Sequence, residues 1–250
     1  MPKNKQSSLL TGIGIVLASL VFAMLVGAGI DLKADPLTNT MPISWDQAYS
    51  RIIIVPDHAE LEKGGILFDV KKIDGNTVMA QSIGLIEAGP EECFRHISNY
   101  NHYTSTMPYT VESKIVRNFR LEGDNPGAET VDFWTKVRVL GSQTRYLIRV
   151  VHLADSESRL YRSFWTLVHN PAAVSGCKDS NALPCENDLD MNIGSHQFEP
   201  YKGDPGRTMH TYTLKVKGKS WAQRVGLRVG CGSSMRDVTR SIREAVVRKQ

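Results

Sequence analysis

Two adjacent stretches of the sequence decide the fold: TVDFWTKVRVL at residues 130–140 and TRYLIRVVHL at residues 144–153. Each alternates between two sets of side chains. In the first stretch the more apolar set is Val131, Phe133, Thr135, Val137 and Val139. Because successive side chains of a β-strand point to opposite faces of a sheet, this period of two predicts two strands with one drier face. The turn at residues 141–142 is too short for a parallel crossover, so the strands are expected to be antiparallel neighbours.

The same pattern continues on both sides of this pair. Upstream, a strand is predicted over residues 110–118, and downstream the predicted strands are 159–168, 190–198 and 208–217. Their short spacing again permits only antiparallel neighbours.

A β-hairpin is predicted before these strands. The stretches ILFDVKK at residues 66–72 and TVMAQSI at residues 77–83 are both compatible with strands, and an Asp-Gly pair lies between them. Such a pair between two strand-forming stretches is a strong signal for a hairpin turn.

Two helices complete the predicted domain. One begins at Gly89-Pro90-Glu91-Glu92, with proline near the first turn and two carboxylates where the helix dipole favours them. The last begins at Ser233, a candidate cap, after a glycine-rich approach at residues 230–232. Val238, Ile242 and Val246 recur at helical spacing, and the concave side of the sheet is the expected partner of this face.

Three further stretches carry a resemblance to a known group of proteins. LIEAGPEECF at residues 85–94, ISNY at 97–100 and MPYTVES at 107–113 resemble the opening of the START-like (SRPBCC) superfamily, which includes polyketide cyclase/dehydrase-like and lipid-transport proteins. Asn99 stands where an aspartate is common. The resemblance spans residues 66–249 and implies an α+β helix-grip fold, in which a curved antiparallel sheet wraps around a long C-terminal helix.

The resemblance also implies a cavity between that helix and the concave side of the sheet. Apolar clefts with a few polar groups are the usual form of small-molecule sites, so a lipid-like or polycyclic occupant is expected. The alternation phase of the strands and the apolar face of the helix give the candidate lining residues: Phe133, Tyr146, Ile148, His152, His210, Tyr212, Val238 and Ile242.

Binding or transport of a hydrophobic molecule is therefore the leading functional prediction, and the alternative is a cyclase or hydrolase. In the alternative, His152 and His210 act with Tyr146 and Tyr212 as cavity acids and bases. For both histidines, a hydrogen-bonded position in a mixed core is the favoured interpretation. The sequence has no Gly-x-Ser-x-Gly motif, no Cys-x-x-Cys or His-x-x-x-His metal spacing and no cofactor fingerprint, so neither metal nor cofactor is expected.

The N-terminal 30 residues predict export. Lys3 and Lys5 precede 22 uncharged positions, from Leu9 to Ile30. This length favours an uncleaved membrane anchor, whereas the internal glycines and the small residues at 26–28 favour a cleaved signal peptide, and both alternatives remain open. Either places the domain outside the cytoplasm, periplasmic or membrane-anchored. The predicted organisation is a leader at residues 1–30, a tether with a docked segment at 31–65, and the START-like domain at 66–250.

The cysteines and the charge distribution fit that compartment. Cys177 and Cys185 bracket a short loop of turn-forming residues and are predicted to form a disulfide. Cys93 and Cys231 either pair or are separate buried side chains. From Lys202 onward there are twelve Lys or Arg against three Asp or Glu, a balance that suits anionic lipid headgroups or an ordinary solvated helix face. No nucleic-acid-reading motif accompanies them, and nucleic acid is not an expected partner.

Overall fold

The computed structural model describes residues 32–49, 54–74, 76–139, 141–175, 186–219 and 221–247. The leader at residues 1–30 and the predicted Cys177–Cys185 disulfide lie outside these ranges. Within them, no helix combines the length and apolar character that crossing a bilayer requires.

The strands of the described residues form one antiparallel sheet, as the sequence predicts. Its eight strands follow the spatial order β1-β2-β8-β7-β6-β5-β4-β3. In chain order they are β1 (Ile66–Lys72), β2 (Thr77–Ile86), β3 (Thr110–Arg120), β4 (Glu129–Val139), β5 (Ser142–Asp155), β6 (Leu160–Leu167), β7 (Leu189–Tyr201) and β8 (Asp204–Gly218). The pairing of β2 with β8 joins the first hairpin to the long run of strands that follows it.

The helices lie before β1, in the connections from β2 to β3 and from β6 to β7, and after β8. They are α1 (Trp45–Tyr49), α2 (His58–Glu62), α3 (Pro90–Ile97), α4 (Tyr103–Thr106), α5 (Ala172–Ser175) and α6 (Trp221–Val247), with a 3₁₀ turn at Tyr100–His102. Helix α3 begins as expected: Gly89 is its N-cap, Pro90 occupies the first turn, and two glutamates follow.

Helix α6 lies against one face of the sheet, which we call the inner face. Its buried side chains include Met235, Thr239, Ile242 and Val246. Gly84 on β2 permits this approach, because a Cβ there would lie 2.7 Å from the methyl group of Thr239.

The start of α6 differs from the sequence prediction. The helix begins at Trp221 rather than at Ser233, so the glycine-rich residues 230–232 lie inside it. Helix propensity is a weak local term that tertiary context overrides, and glycine costs only about 1 kcal/mol relative to alanine. Farther along the helix, Arg243 donates from Nε to the carbonyl oxygen of Leu85 on β2 (2.6 Å).

The opposite, outer face of the sheet is covered by residues 33–49 and 54–62, which we call the covering segment. Ala34 forms a bridge with Val168, the Trp45 ring meets Phe164 edge to face at 6.3 Å, and Leu61 is buried. This segment therefore forms a second layer on the sheet, and outer-face side chains that would otherwise meet water become buried.

A buried ion-pair network joins that layer to the sheet. Asp132 and Arg149 are both fully buried, and Arg149 donates from Nε and Nη2 to the two carboxylate oxygens at 2.8 and 3.0 Å. Arg117 donates to the same carboxylate at 2.9 Å. Arg149 also donates to the carbonyl oxygen of Thr40 at 2.7 Å, so the network fixes the path of the covering segment.

Candidate ligand-binding cavity

A cavity of about 210 Å³ lies between the inner face and α6. Strands β4 to β8, the connection from Ile97 to Thr110 and helix α6 all contribute to its lining. The lining is mostly aliphatic and aromatic, and its described residues include no Lys, Arg, Asp or Glu. The space is many times the 10–15 Å³ or so that one water molecule needs.

The structure brings five of the eight predicted residues together in this lining: Phe133, Tyr146, Ile148, Tyr212 and Val238. It places His152, His210 and Ile242 beside the cavity rather than in its lining. All three lie on the inner side of the domain, as the alternation and helical spacing predict, but other side chains cover them.

Aromatic rings cover His152. Phe94 of α3 meets the imidazole edge to face at 5.2 Å between ring centroids, and Tyr100 stacks on it at 5.9 Å. The Tyr100 hydroxyl also lies 3.0 Å from Nε2 of His152. Burial lowers the pKa of His152 to about 4, so the ring is neutral at pH 7.

His210 is covered by α6 and by neighbouring rings. It stacks on Phe198 at 4.6 Å, and its Nδ1 lies 3.3 Å from the Thr239 hydroxyl. Its Nε2 lies 3.0 Å from Nδ1 of His196. Burial, with a smaller effect of His152, lowers the pKa of His196 to about 3. Burial, with smaller effects of His196 and Arg243, lowers the pKa of His210 well below its ordinary value. Both rings are therefore neutral near pH 7.

Several residues of the lining are not among those predicted from the sequence. The most important are His196, Ser163 and Trp165. His196 stacks on Tyr212 at 4.4 Å, and Trp165 donates from its indole nitrogen to Asn192 at 3.0 Å. The alternation of β6 carries the signal for Ser163 and Trp165, which share one face with Tyr161.

Tyr146 and Tyr103 of the cavity are neutral as well. Burial raises the pKa of Tyr146 to about 12 and raises that of Tyr103 well above its ordinary value. Among the described residues, no group of three or more His, Cys, Asp or Glu is arranged to hold a metal ion. Cys93 is a free, buried thiol, and burial raises its pKa to about 12.

Two hydrogen bonds hold the connection between α4 and β3 against α6. Tyr109, which has a positive φ of 66°, donates from its hydroxyl to Asp237, and Ser241 donates to the carbonyl oxygen of Thr106. Tyr109 and Val238 both line the cavity, so these contacts lie at one side of its wall.

Gly194 on β7 allows the Trp165 indole to lie flat along the inner face. A Cβ at this position would lie 2.2 Å from Cζ2 of Trp165 and 2.8 Å from the carbonyl oxygen of Thr213. Gly194→Ala is therefore expected to displace the indole and to lower the unfolding free energy by about 1–3 kcal/mol, the usual cost of overpacking. Urea unfolding measures the loss.

Gly206→Ala is the control, because a Cβ at that position would lie 3.4 Å from the nearest atom, an ordinary contact distance. Equal unfolding free energies of the two variants would contradict the prediction.

No protein-family model matches the chain, and no curated protein matches it. Solved structures do. A STAR-related lipid transfer protein from Xanthomonas axonopodis is similar with a TM-score of 0.54 at 12% identity, covering 73% of this chain and 93% of that one. Human StAR-related lipid transfer protein 5 gives 0.54 at 11% identity, with 72% and 86% covered.

The human StarD13 (DLC2) lipid transfer and protein localization domain gives a TM-score of 0.50 at 13% identity, with 74% of this chain and 92% of that one covered. At these identities the likeness concerns the fold. Together with the antiparallel sheet, it confirms the resemblance found in the sequence: the chain has a START-like fold.

Proposed function

We propose that this domain binds a hydrophobic small molecule in its internal cavity and carries or senses it at the cell envelope. The observation that carries this proposal is the lining: around about 210 Å³ of space, its described residues are mainly apolar and aromatic and none is charged. Apolar surface in contact with water is unfavourable, so a hydrophobic ligand that enters gains free energy from its own burial.

The volume of the cavity limits the size of the ligand that fits. Drug-sized ligands occupy pockets of about 300–1,000 Å³, and this cavity lies below that range. A single acyl chain or a compact polycyclic molecule suits it better than a lipid with two chains. The similar solved proteins are named for lipid transfer, which supports the same ligand class.

The cellular setting is part of the proposal. The charged leader followed by 22 uncharged positions supports export, as an anchored or a periplasmic domain. A disulfide between Cys177 and Cys185 suits an oxidising compartment. Membrane contact through the N-terminal segment would place the domain where apolar ligands are found.

A blocked cavity tests ligand binding. Val137 lines the cavity next to Tyr109, whereas Val111 on the neighbouring strand is exposed. Val137→Trp is expected to fill the space and to reduce co-purified apolar ligand at least tenfold, while the unfolding midpoint stays within a few degrees. The ligand is measured by native mass spectrometry and by extraction of the purified protein.

Val111→Trp is the matched control, since the same enlargement at an exposed position leaves the cavity open. Wild-type protein and this control are expected to carry the same ligand at the same occupancy. If the wild-type protein is recovered empty, and apolar compounds added to it bind no better than to Val137→Trp, the proposed function is wrong.

An acid/base enzyme of the cyclase or hydrolase type is the second candidate. His196 favours it, because this imidazole lines the cavity, is neutral near pH 7 and stacks on Tyr212. The two functions differ in one result. A carrier returns its ligand with unchanged mass after prolonged incubation, whereas an enzyme releases a chemically altered product.

A further inference from the structure

Polar side chains form a row across the inner face, next to the cavity. His152 on β5, Ser163 on β6, His196 on β7 and Tyr212 on β8 occupy directly opposite positions on successive strands. Directly opposite residues on antiparallel strands have Cβ atoms about 4.5–5.5 Å apart, so consecutive side chains of the row are close neighbours. Ser163 lies in the middle, between two imidazoles, and lines the cavity.

Two atoms of this row have unused hydrogen-bonding capacity. Ser163 is 1% exposed and His152 is 9% exposed, and neither the Ser163 hydroxyl nor Nδ1 of His152 has a hydrogen-bond partner among the described residues. Buried polar atoms are partnered in the great majority of cases. Phe94 and Tyr100 cover His152, so of these two atoms only the Ser163 hydroxyl belongs to a residue that lines the cavity. The missing partner of that hydroxyl points to a group that is supplied from the cavity.

The surroundings determine the charge of that group. Among the described lining residues none is cationic or anionic, and the imidazoles of the row are neutral at pH 7. A carboxylate or phosphate would lose its hydration without gaining a counter-charge, which is strongly unfavourable in a buried site. A hydroxyl, carbonyl or ester needs only a hydrogen bond.

We propose that the row around Ser163 is a subsite for a neutral hydrogen-bonding group of the ligand, so that the ligand binds with its polar end inward and its apolar body along the cavity. This inference rests on the proposed function and adds the chemistry of the ligand: an apolar alcohol, ketone or ester rather than an anionic lipid or a pure hydrocarbon. Ser163 is the positioning hydroxyl, and the two imidazoles flank it.

A cycle of two ligands and three proteins tests the subsite. 2-Naphthol and 2-methylnaphthalene have nearly the same shape and differ in a hydroxyl against a methyl group. Equilibrium dialysis at pH 7 is expected to show that wild-type protein binds 2-naphthol about tenfold more tightly, the effect of about one net hydrogen bond. In Ser163→Ala this preference is expected to disappear, while the affinity for 2-methylnaphthalene stays the same.

Ser195→Ala is the matched control. Ser195 lies on β7 next to His196, is fully buried and also has an unpartnered hydroxyl, but it points to the outer face. The tenfold preference is expected to survive in this variant. The stability of both variants is checked by urea unfolding, so that a folding defect is not taken for a loss of affinity.

A third ligand tests the charge requirement. 2-Naphthoic acid is expected to bind weakly between about pH 8 and pH 6.5, where it is a carboxylate and the domain keeps its full stability. Equal binding of the carboxylate and 2-naphthol at pH 7 would overturn the inference. So would an unchanged preference for 2-naphthol in Ser163→Ala. If none of the three compounds binds to wild-type protein, the proposed binding cavity fails together with the subsite. The two earlier outcomes, in which the compounds do bind, overturn the subsite alone.

Discussion

Lowering the pH from about 7 to about 4.5 is expected to unfold the domain. His152, His196 and His210 are buried, and burial lowers the pKa of each in the folded state, to about 4 for His152 and to about 3 for His196. In the unfolded chain these rings titrate near the ordinary value of 6.5. Below that pH the unfolded state binds more protons than the folded state, so stability falls as the pH falls.

The expected loss is large compared with the stability of a domain. Each such histidine contributes a slope of up to about 1.4 kcal/mol per pH unit between its unfolded and folded pKa values. Three histidines over two pH units contribute on the order of 8 kcal/mol, whereas domains are typically stable by about 5–15 kcal/mol. The stability is fully present above about pH 6.5 and is lost progressively below it.

Urea unfolding at a series of pH values measures this slope. His152→Phe is expected to be less stable than wild type at pH 7, because the Tyr100 hydroxyl loses its partner, but its slope between pH 6.5 and about 5 is expected to be a third smaller. The control is His102→Phe at an exposed position, which leaves the three buried rings in place. A wild-type stability that is constant between pH 7 and pH 5 would contradict the prediction.

Removing the carboxylate of Asp132 is the second change with a large expected effect. Asp132→Leu leaves the Arg149 guanidinium fully buried without its bidentate partner, and Arg117 loses the same carboxylate. Breaking one side of a buried ion pair costs about 3–5 kcal/mol, because an uncompensated charge stays in a medium of low polarity. We expect a loss of that size in the unfolding free energy.

The double variant Asp132→Leu/Arg149→Met separates the cost of an unpaired charge from the worth of the pair. Replacing both partners by apolar side chains of similar volume is often close to neutral, so most of the loss is expected to be recovered. Some is expected to remain, since the carbonyl oxygen of Thr40 loses its donor. If the unfolding free energy of Asp132→Leu lies within about 1 kcal/mol of the wild-type value, the prediction is wrong. If the double variant is no more stable than Asp132→Leu, the arginine side chain is required for packing of the covering segment on the sheet.

Local patterns were sufficient for the sheet. The alternation in residues 130–140 and 144–153 predicted both strands and assigned their faces, and Phe133, Thr135 and Val137 do lie along the cavity. A strand's period of two is a property of the backbone, so side-chain direction follows from sequence position alone. The start of α3 at Gly89-Pro90 is local for the same reason, since capping involves only the first turn.

What covers each face is not a local property. The outer set of β4 and β5 contains charged residues, which in sequence suggests contact with water. Asp132 and Arg149 are nevertheless fully buried, because the covering segment lies over them and the two charges pair. Pairing needs residues 17 positions apart to meet beneath a third segment, and no periodicity reports such an arrangement.

The sequence by itself therefore determined the strands, their facing and the START-like resemblance of this protein. Only the tertiary structure decided which inner-face residues line the cavity. His152, Ser163 and His196 share one row on the sheet, yet Phe94 and Tyr100 cover the first while the other two line the cavity. The physical reason is that a strand fixes the direction of a side chain, whereas burial and cavity volume depend on how distant helices and rings fill the space in front of it.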